Sequence, residues 1–158
     1  MTPTAATATI EADQTGRAGI RTRHDHAAIL GDLEALFRDN GAQHADARPA
    51  IVKHLTSLVD AVRSREEAEL LRTGDGLACA EGLSRFQDAL IHAVHDYTVA
   101  HVYQPNSPGS TEPLSVVATG GYGRGLLAPG SDIDLLFLLS AKQTPWGESV
   151  VEYILYLL

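Results

Sequence analysis

The sequence predicts an α+β chain: a helical N-terminal region, then a strand, a glycine-rich turn, a second strand and a closing helix. Three observations carry that expectation. Apolar residues recur at helical spacing through three long segments between Asp25 and Tyr103. A short β-branched run, Val116–Val117–Ala118, and an apolar run ending at Leu139 read as strands. Between them Gly120, Gly121, Gly123 and Gly125 fall within six positions.

A length of 158 residues fits one domain, or one domain with an appendage. Twelve basic residues against twenty acidic ones leave a formal charge of −8. That balance disfavours a general nucleic-acid surface, so an anionic substrate has to be met by local features. The single cysteine, Cys79, excludes an intrachain disulfide and a thiolate zinc cluster. It fits a small buried residue in a reducing cytoplasm. No signal-peptide pattern and no uncharged apolar run of membrane-spanning length is visible, so neither a membrane partner nor a nucleic-acid partner is expected.

Residues 1–23 are rich in Thr, Ala and Gly with little apolar period, and are expected to form a mobile arm. His24-Asp25-His26 resembles a metal-ligand string, but at a helix start it reads more simply as a cap with exposed neighbours. Ile29, Leu30, Leu33, Leu36 and Phe37 predict a helix from about Asp25 to Asn40, stopped by Gly41. A second helix is expected from near Asp46, with Pro49 inside its first turn and Ile51, Val52, Leu55, Leu58, Val59 and Val62 as its buried stripe. Its charged end places Arg65 and Glu69 at i,i+4 before Gly74-Asp75-Gly76 breaks it. A third helix is expected from about Leu77 to Tyr103, with Leu83, Phe86, Leu90, Ile91, Val94, Tyr97 and Val102 in the core. It carries His92, His95, Asp96 and His101; a metal-dependent HD-type phosphohydrolase needs further ligands from other helices, and a surface or packing role suffices. The proline-rich stretch 104–113 is read as the connector between a helical region (24–104) and a second unit (114–158).

That second unit holds the chemistry. Glycines lack Cβ, so the turn can bring backbone N–H groups close to a ligand. In the extended run from Asp132 to Leu139, alternate side chains share a face, which places Asp132 and Asp134 side by side. Adjacent carboxylates repel, and oxygen-only ligands suit Mg²⁺ or Mn²⁺. A glycine turn for a triphosphate beside a metal-binding pair is what nucleotidyl transfer requires. The bland alternative has Asp132 capping a local N–H and Asp134 facing water. A dinucleotide fingerprint is excluded, because Pro129–Gly130 follows where a helix would have to continue. After the second strand, Pro145 opens a last helix with Val150, Val151, Ile154, Leu155 and Leu158 on a common apolar side.

Gly-Gly, ten residues, then Asp-Ile-Asp resembles the nucleotidyltransferase superfamily that includes DNA polymerase β. The fuller string GGYGRGLLAPGSDIDLLFLL resembles the bifunctional PII uridylyltransferase/uridylyl-removing enzymes. The resemblance implies the opening strand–turn–strand–helix of a polymerase β-like fold, incomplete within this chain. It also implies transfer of UMP from UTP to a tyrosine of the nitrogen-signalling protein PII, with glutamine acting through distant regulatory domains. Residue by residue, Asp132 and Asp134 match the family's catalytic metal-binding aspartates, and Gly120 and Gly121 the start of its phosphate turn. Ser131 matches the serine before the first aspartate, and Arg124 the arginine of the turn, suited to phosphate or to solvent. Leu126 departs from the pattern, since the family has a glutamate there. The uridylyl-removing HD domain lies further along the family's chain, and the third metal carboxylate comes from a later strand; nothing after Asp134 resembles it.

Two classes of function therefore stand: a metal-dependent nucleotidyltransferase, and a non-catalytic nucleotide-binding or regulatory module on the same fold. A different nucleotide or acceptor within the superfamily is the third reading. The intact aspartate pair favours an enzyme, while two strands and two carboxylates make residues 1–158 alone an expected fragment without activity.

Overall fold

A computed structural model describes residues 25–102, 114–139 and 144–158. The expected arm (1–23), His24, Tyr103 and the connector (104–113) lie outside the described residues. Helix α1 spans His26–Asp39, α2 His44–Thr73, α3 Gly76–Tyr97 and α4 Pro145–Leu157. Strands β1 (Leu114–Ala118) and β2 (Leu135–Leu139) pair antiparallel, with Val116 opposite Phe137 and Ala118 opposite Leu135.

Helix ends follow local chemistry. Asp25 caps α1 by accepting from the Ala28 N–H at 2.9 Å, and Asp75 caps α3 through Ala78 at 3.0 Å. Thr144 caps α4 through Gly147 at 3.1 Å. Gly74 ends α2 in the left-handed conformation, φ 70°, returning its N–H to the Leu70 carbonyl. Helix α2 starts two residues before the expected Asp46, so Pro49 falls in its second turn and gives up one backbone hydrogen bond. Helix α3 ends before the expected Tyr103: regular α geometry stops at Tyr97, and Thr98–Val102 forms a wider π turn. The Thr98 hydroxyl donates to the Val94 carbonyl at 2.7 Å, the kind of back-bonding that bends a helix. The expected Arg65–Glu69 pair does not form. Glu69 pairs with Arg72 and Arg65 with Glu66, which puts the acid N-terminal to its arginine in the stronger pair.

The core joins all four helices. Ile29 and Leu33 of α1, Ile51, Leu55 and Val62 of α2, Leu90, Val94 and Tyr97 of α3, and Val150 and Ile154 of α4 are buried in one cluster. On α4 the buried stripe is Val150, Tyr153, Ile154 and Leu157, while the expected core residues Leu155 and Leu158 are exposed. The helix is rotated because Tyr153 and Leu157 lie at i+3 and i+7 from Val150, in phase with a true helical stripe. The sheet packs one face only: Val116, Ala118, Ile133, Leu135 and Phe137 meet the core, whereas Val117, Leu136 and Leu138 face outward. Cys79 is buried, and burial pushes its thiol above the usual range. No helix among the described residues is long and apolar enough to cross a membrane.

Candidate active site

The turn between β1 and β2 is built from backbone bonds. Gly123 N–H donates to the Thr119 carbonyl at 2.7 Å, Gly125 N–H to Tyr122 at 2.8 Å, and Leu126 N–H to Gly121 at 3.1 Å. Tyr122–Arg124 form one 3₁₀ turn at its centre. The chain folds back so tightly that a Cβ on Gly123 would stand 2.6 Å from the Ala118 carbonyl oxygen, a position only glycine fills. Gly120, at φ 61°, lies directly against a carboxylate: a Cβ there would be 2.5 Å from Asp134 Oδ2. The N–H groups of Gly120 and Gly121 have no partner among the described residues. Among those residues they are open donors of the turn.

The two aspartates precede β2 instead of lying within it, correcting the expectation of one continuous strand from Asp132. The alternation nevertheless persists. Asp132 and Asp134 are exposed and Ile133 is half-buried, in phase with exposed Leu136 and Leu138 and inward Leu135 and Phe137. The backbone is held in place where Thr119 N–H donates to the Asp134 carbonyl at 3.0 Å, extending the ladder by one step past the strand end. Neither carboxylate has a hydrogen-bond or ion-pair partner among the described residues. Asp132 thus does not cap a described N–H.

Arg124 is exposed, its guanidinium beside Gly121, and it has no acidic partner among the described residues. Ser131 is exposed immediately before Asp132, its N–H bonded to the Ala128 carbonyl at 3.1 Å. Leu126 is also exposed and presents an apolar side chain to solvent. The structure sets Gly120 against the Asp134 carboxylate and Gly121 beside the Arg124 guanidinium.

Oxygen-only, unpaired carboxylates on one side of an extended segment fit part of a hard-cation shell. Among the described residues no group of three His, Cys, Asp or Glu side chains is arranged to hold a metal ion. Glu148 and Glu152 are exposed on α4. The histidines serve packing: Asp96 accepts from His26 of α1 at 2.9 Å and pairs with neighbouring His95 at 3.0 Å, tying α1 to α3.

Sequence reasoning missed two anchors on α3. The Tyr122 hydroxyl donates to Asp88 Oδ1 at 2.7 Å, and the Leu127 N–H to Ser84 Oγ at 2.8 Å. Ser84 interrupts an apolar helical stripe, which is a readable sign of a buried polar role; nothing in the pattern marks Asp88.

With this geometry in hand, comparison with known proteins is informative. Residues 107–155 match the nucleotidyltransferase domain family. The chain is 43% identical over 136 residues to a bifunctional uridylyltransferase/uridylyl-removing enzyme of Rhodopseudomonas palustris, covering 86% of this chain and 15% of that enzyme. It is 45% identical over 141 residues to the enzyme of the same name from Nitrobacter hamburgensis, covering 89% of this chain and 15% of the relative. The chain therefore spans about 15% of the length of these curated relatives. No solved structure matches it.

Proposed function

We propose, proceeding from a chain that carries a nucleotidyltransferase domain and is homologous to uridylyltransferase/uridylyl-removing enzymes, that the intact protein moves UMP from UTP onto a tyrosine of the nitrogen regulatory protein PII. The observation that carries the transferase reading is Asp134 set against Gly120, with both aspartates and the N–H groups of Gly120 and Gly121 unpartnered among the described residues. The uridylyl group follows from the relatives' names, and PII as acceptor from GGYGRG joined to SDIDLL.

In this reading Gly120 and Gly121 donate their N–H groups to phosphate oxygens, and Arg124 turns its unpaired guanidinium onto the same oxygens. Asp132 and Asp134 hold Mg²⁺ or Mn²⁺, which when bound neutralises triphosphate charge and favours ionisation of the attacking hydroxyl. Ser131 sets the start of the aspartate segment through its bond to Ala128. A purely nucleotide-binding module has little use for two adjacent unpaired carboxylates, which favours the enzyme. Residues 1–158 by themselves turn over poorly, because two carboxylates bind a divalent cation weakly and a two-stranded sheet is a marginal support.

The test incubates the intact protein with PII and each labelled nucleoside triphosphate in turn, with Mg²⁺. Labelling from UTP is expected. Preferential labelling from ATP moves the reading to adenylyl transfer, and no label on PII with any nucleotide removes the acceptor. Running residues 1–158 alongside checks the shorter chain, for which turnover equal to that of the intact protein would be contrary to expectation.

A further inference from the structure

We propose that Asp88 is a positioning residue for the metal-binding carboxylates, acting through Tyr122 and the glycine turn; the proposal rests on the transferase reading above. Ala80, Ser84 and Asp88 fall at i, i+4 and i+8, so they form one strip along α3. That strip grips the turn at both ends. At the first, the Tyr122 ring is 5% exposed and its hydroxyl reaches Asp88 Oδ1 at 2.7 Å, across 34 residues of sequence. At the second, Leu127 N–H is shared between Ser84 Oγ at 2.8 Å and the Ala80 carbonyl at 3.2 Å. Burial, followed by the hydrogen bond and charge of Asp88, pushes the Tyr122 phenol well up, so it stays protonated and remains the donor.

Between the two grips the turn has little slack. Gly123 and Leu126 are bonded within it, and Gly123 lies against the Ala118 carbonyl with no room for another atom. Gly120, two residues before Tyr122, abuts the Asp134 carboxylate. A shift of Tyr122 away from Asp88 therefore shifts Gly120, and Gly120 is the surface that limits where Asp134 can point. Tyr122 as mere core filling would need only its ring. A hydroxyl aimed at a carboxylate on another element does more than fill space.

Variants of the intact protein separate the two roles. Asp88→Ala and Tyr122→Phe are each expected to raise the Mg²⁺ concentration for half-maximal transfer about tenfold, the scale of one lost hydrogen bond to a charged group. Asp88→Asn keeps an acceptor oxygen and is expected to stay within about threefold of the parent. The double variant should be no worse than the poorer single one, since both break the same link. An unchanged Mg²⁺ requirement in both single variants, whatever happens to their melting temperatures, overturns the proposal; so does additivity. The transferase reading fails on its own terms if Asp132→Asn retains turnover. The grip is then read by hydrogen exchange: faster exchange of the amides of residues 120–127 in Asp88→Ala supports it, and unchanged exchange overturns it.

Discussion

Asp134 Oδ2 lies 2.5 Å from the point where a Cβ on Gly120 would stand, so the glycine turn and the carboxylate segment meet without a side chain between them. Two motifs that look separate along the chain are one contact surface. Their spacing is constrained because the turn has to return to the residue it touches.

Gly120→Ala should therefore injure function more than stability. The left-handed φ of 61° costs an alanine about 1–2 kcal/mol, and the new methyl group forces the Asp134 carboxylate to move. Gly74→Ala is the control, with φ 70° and open space around it. Its expected cost is the same about 1–2 kcal/mol of stability, with transfer retained. Urea titration and Mg²⁺-dependent transfer on both variants check the contrast.

Asp132→Asn and Asp134→Asn are each expected to lower transfer by at least about a hundredfold, as for removal of a preorganised electrostatic group. Both side chains are exposed and unpaired among the described residues, so thermal unfolding followed by circular dichroism should stay near that of the parent. Turnover within a few fold of the parent would count against the metal assignment.

Much of this was legible in the sequence. The helix periods located α1 to α4 because apolar stripes at 3.6-residue spacing admit few other structures, and the Gly-Gly…Asp-x-Asp spacing singled out the candidate site. What was not legible depended on tertiary contacts. Leu155 and Leu158 share an apolar pattern with Ile154, yet only packing decides which side of α4 turns inward. Asp88 looks like any solvent-facing acid on an amphipathic helix until Tyr122 arrives from 34 residues away. The aspartates fall just outside β2 because regular pairing ends at Ala118 and Leu135, and only the Thr119 N–H reaches one step further, to the Asp134 carbonyl.

Ile154→Ala tests whether α4 belongs to the helical core. Ile154 is fully buried in the cluster shared with α2 and α3, and its truncation should cost about 2–5 kcal/mol. Denaturant unfolding should show one cooperative transition shifted as a whole. A separate early transition confined to α4 would contradict the shared core.

Asp96 supplies a pH test. Burial alone would raise its pKa, but hydrogen bonds and charge from His95 and His26 outweigh it and hold the carboxyl below its ordinary value. A depressed folded-state pKa gives stability that is present above the unfolded value, about 3.9, and is lost as the pH falls through the folded value. Asp96→Asn should then cost under about 1 kcal/mol near neutrality, because the side chain is half-exposed. The gap between parent and variant should close as the pH falls through the depressed folded value, as measured by urea titration across the acid range. A gap that stayed undiminished to the acid end of the titration would reverse the assignment.

The outward alternation that begins at Asp132 continues through Leu136 and Leu138, with Val117 opposite Leu136 on β1. The carboxylates thus stand at the shoreline of an oily strip, on the same outward side as its leucines. Any cover laid over those leucines drains the wet side next to the charges and deepens the electric field they project. The charge environment of the aspartate pair is in that sense adjustable from the far end of the strand, by something that touches neither aspartate.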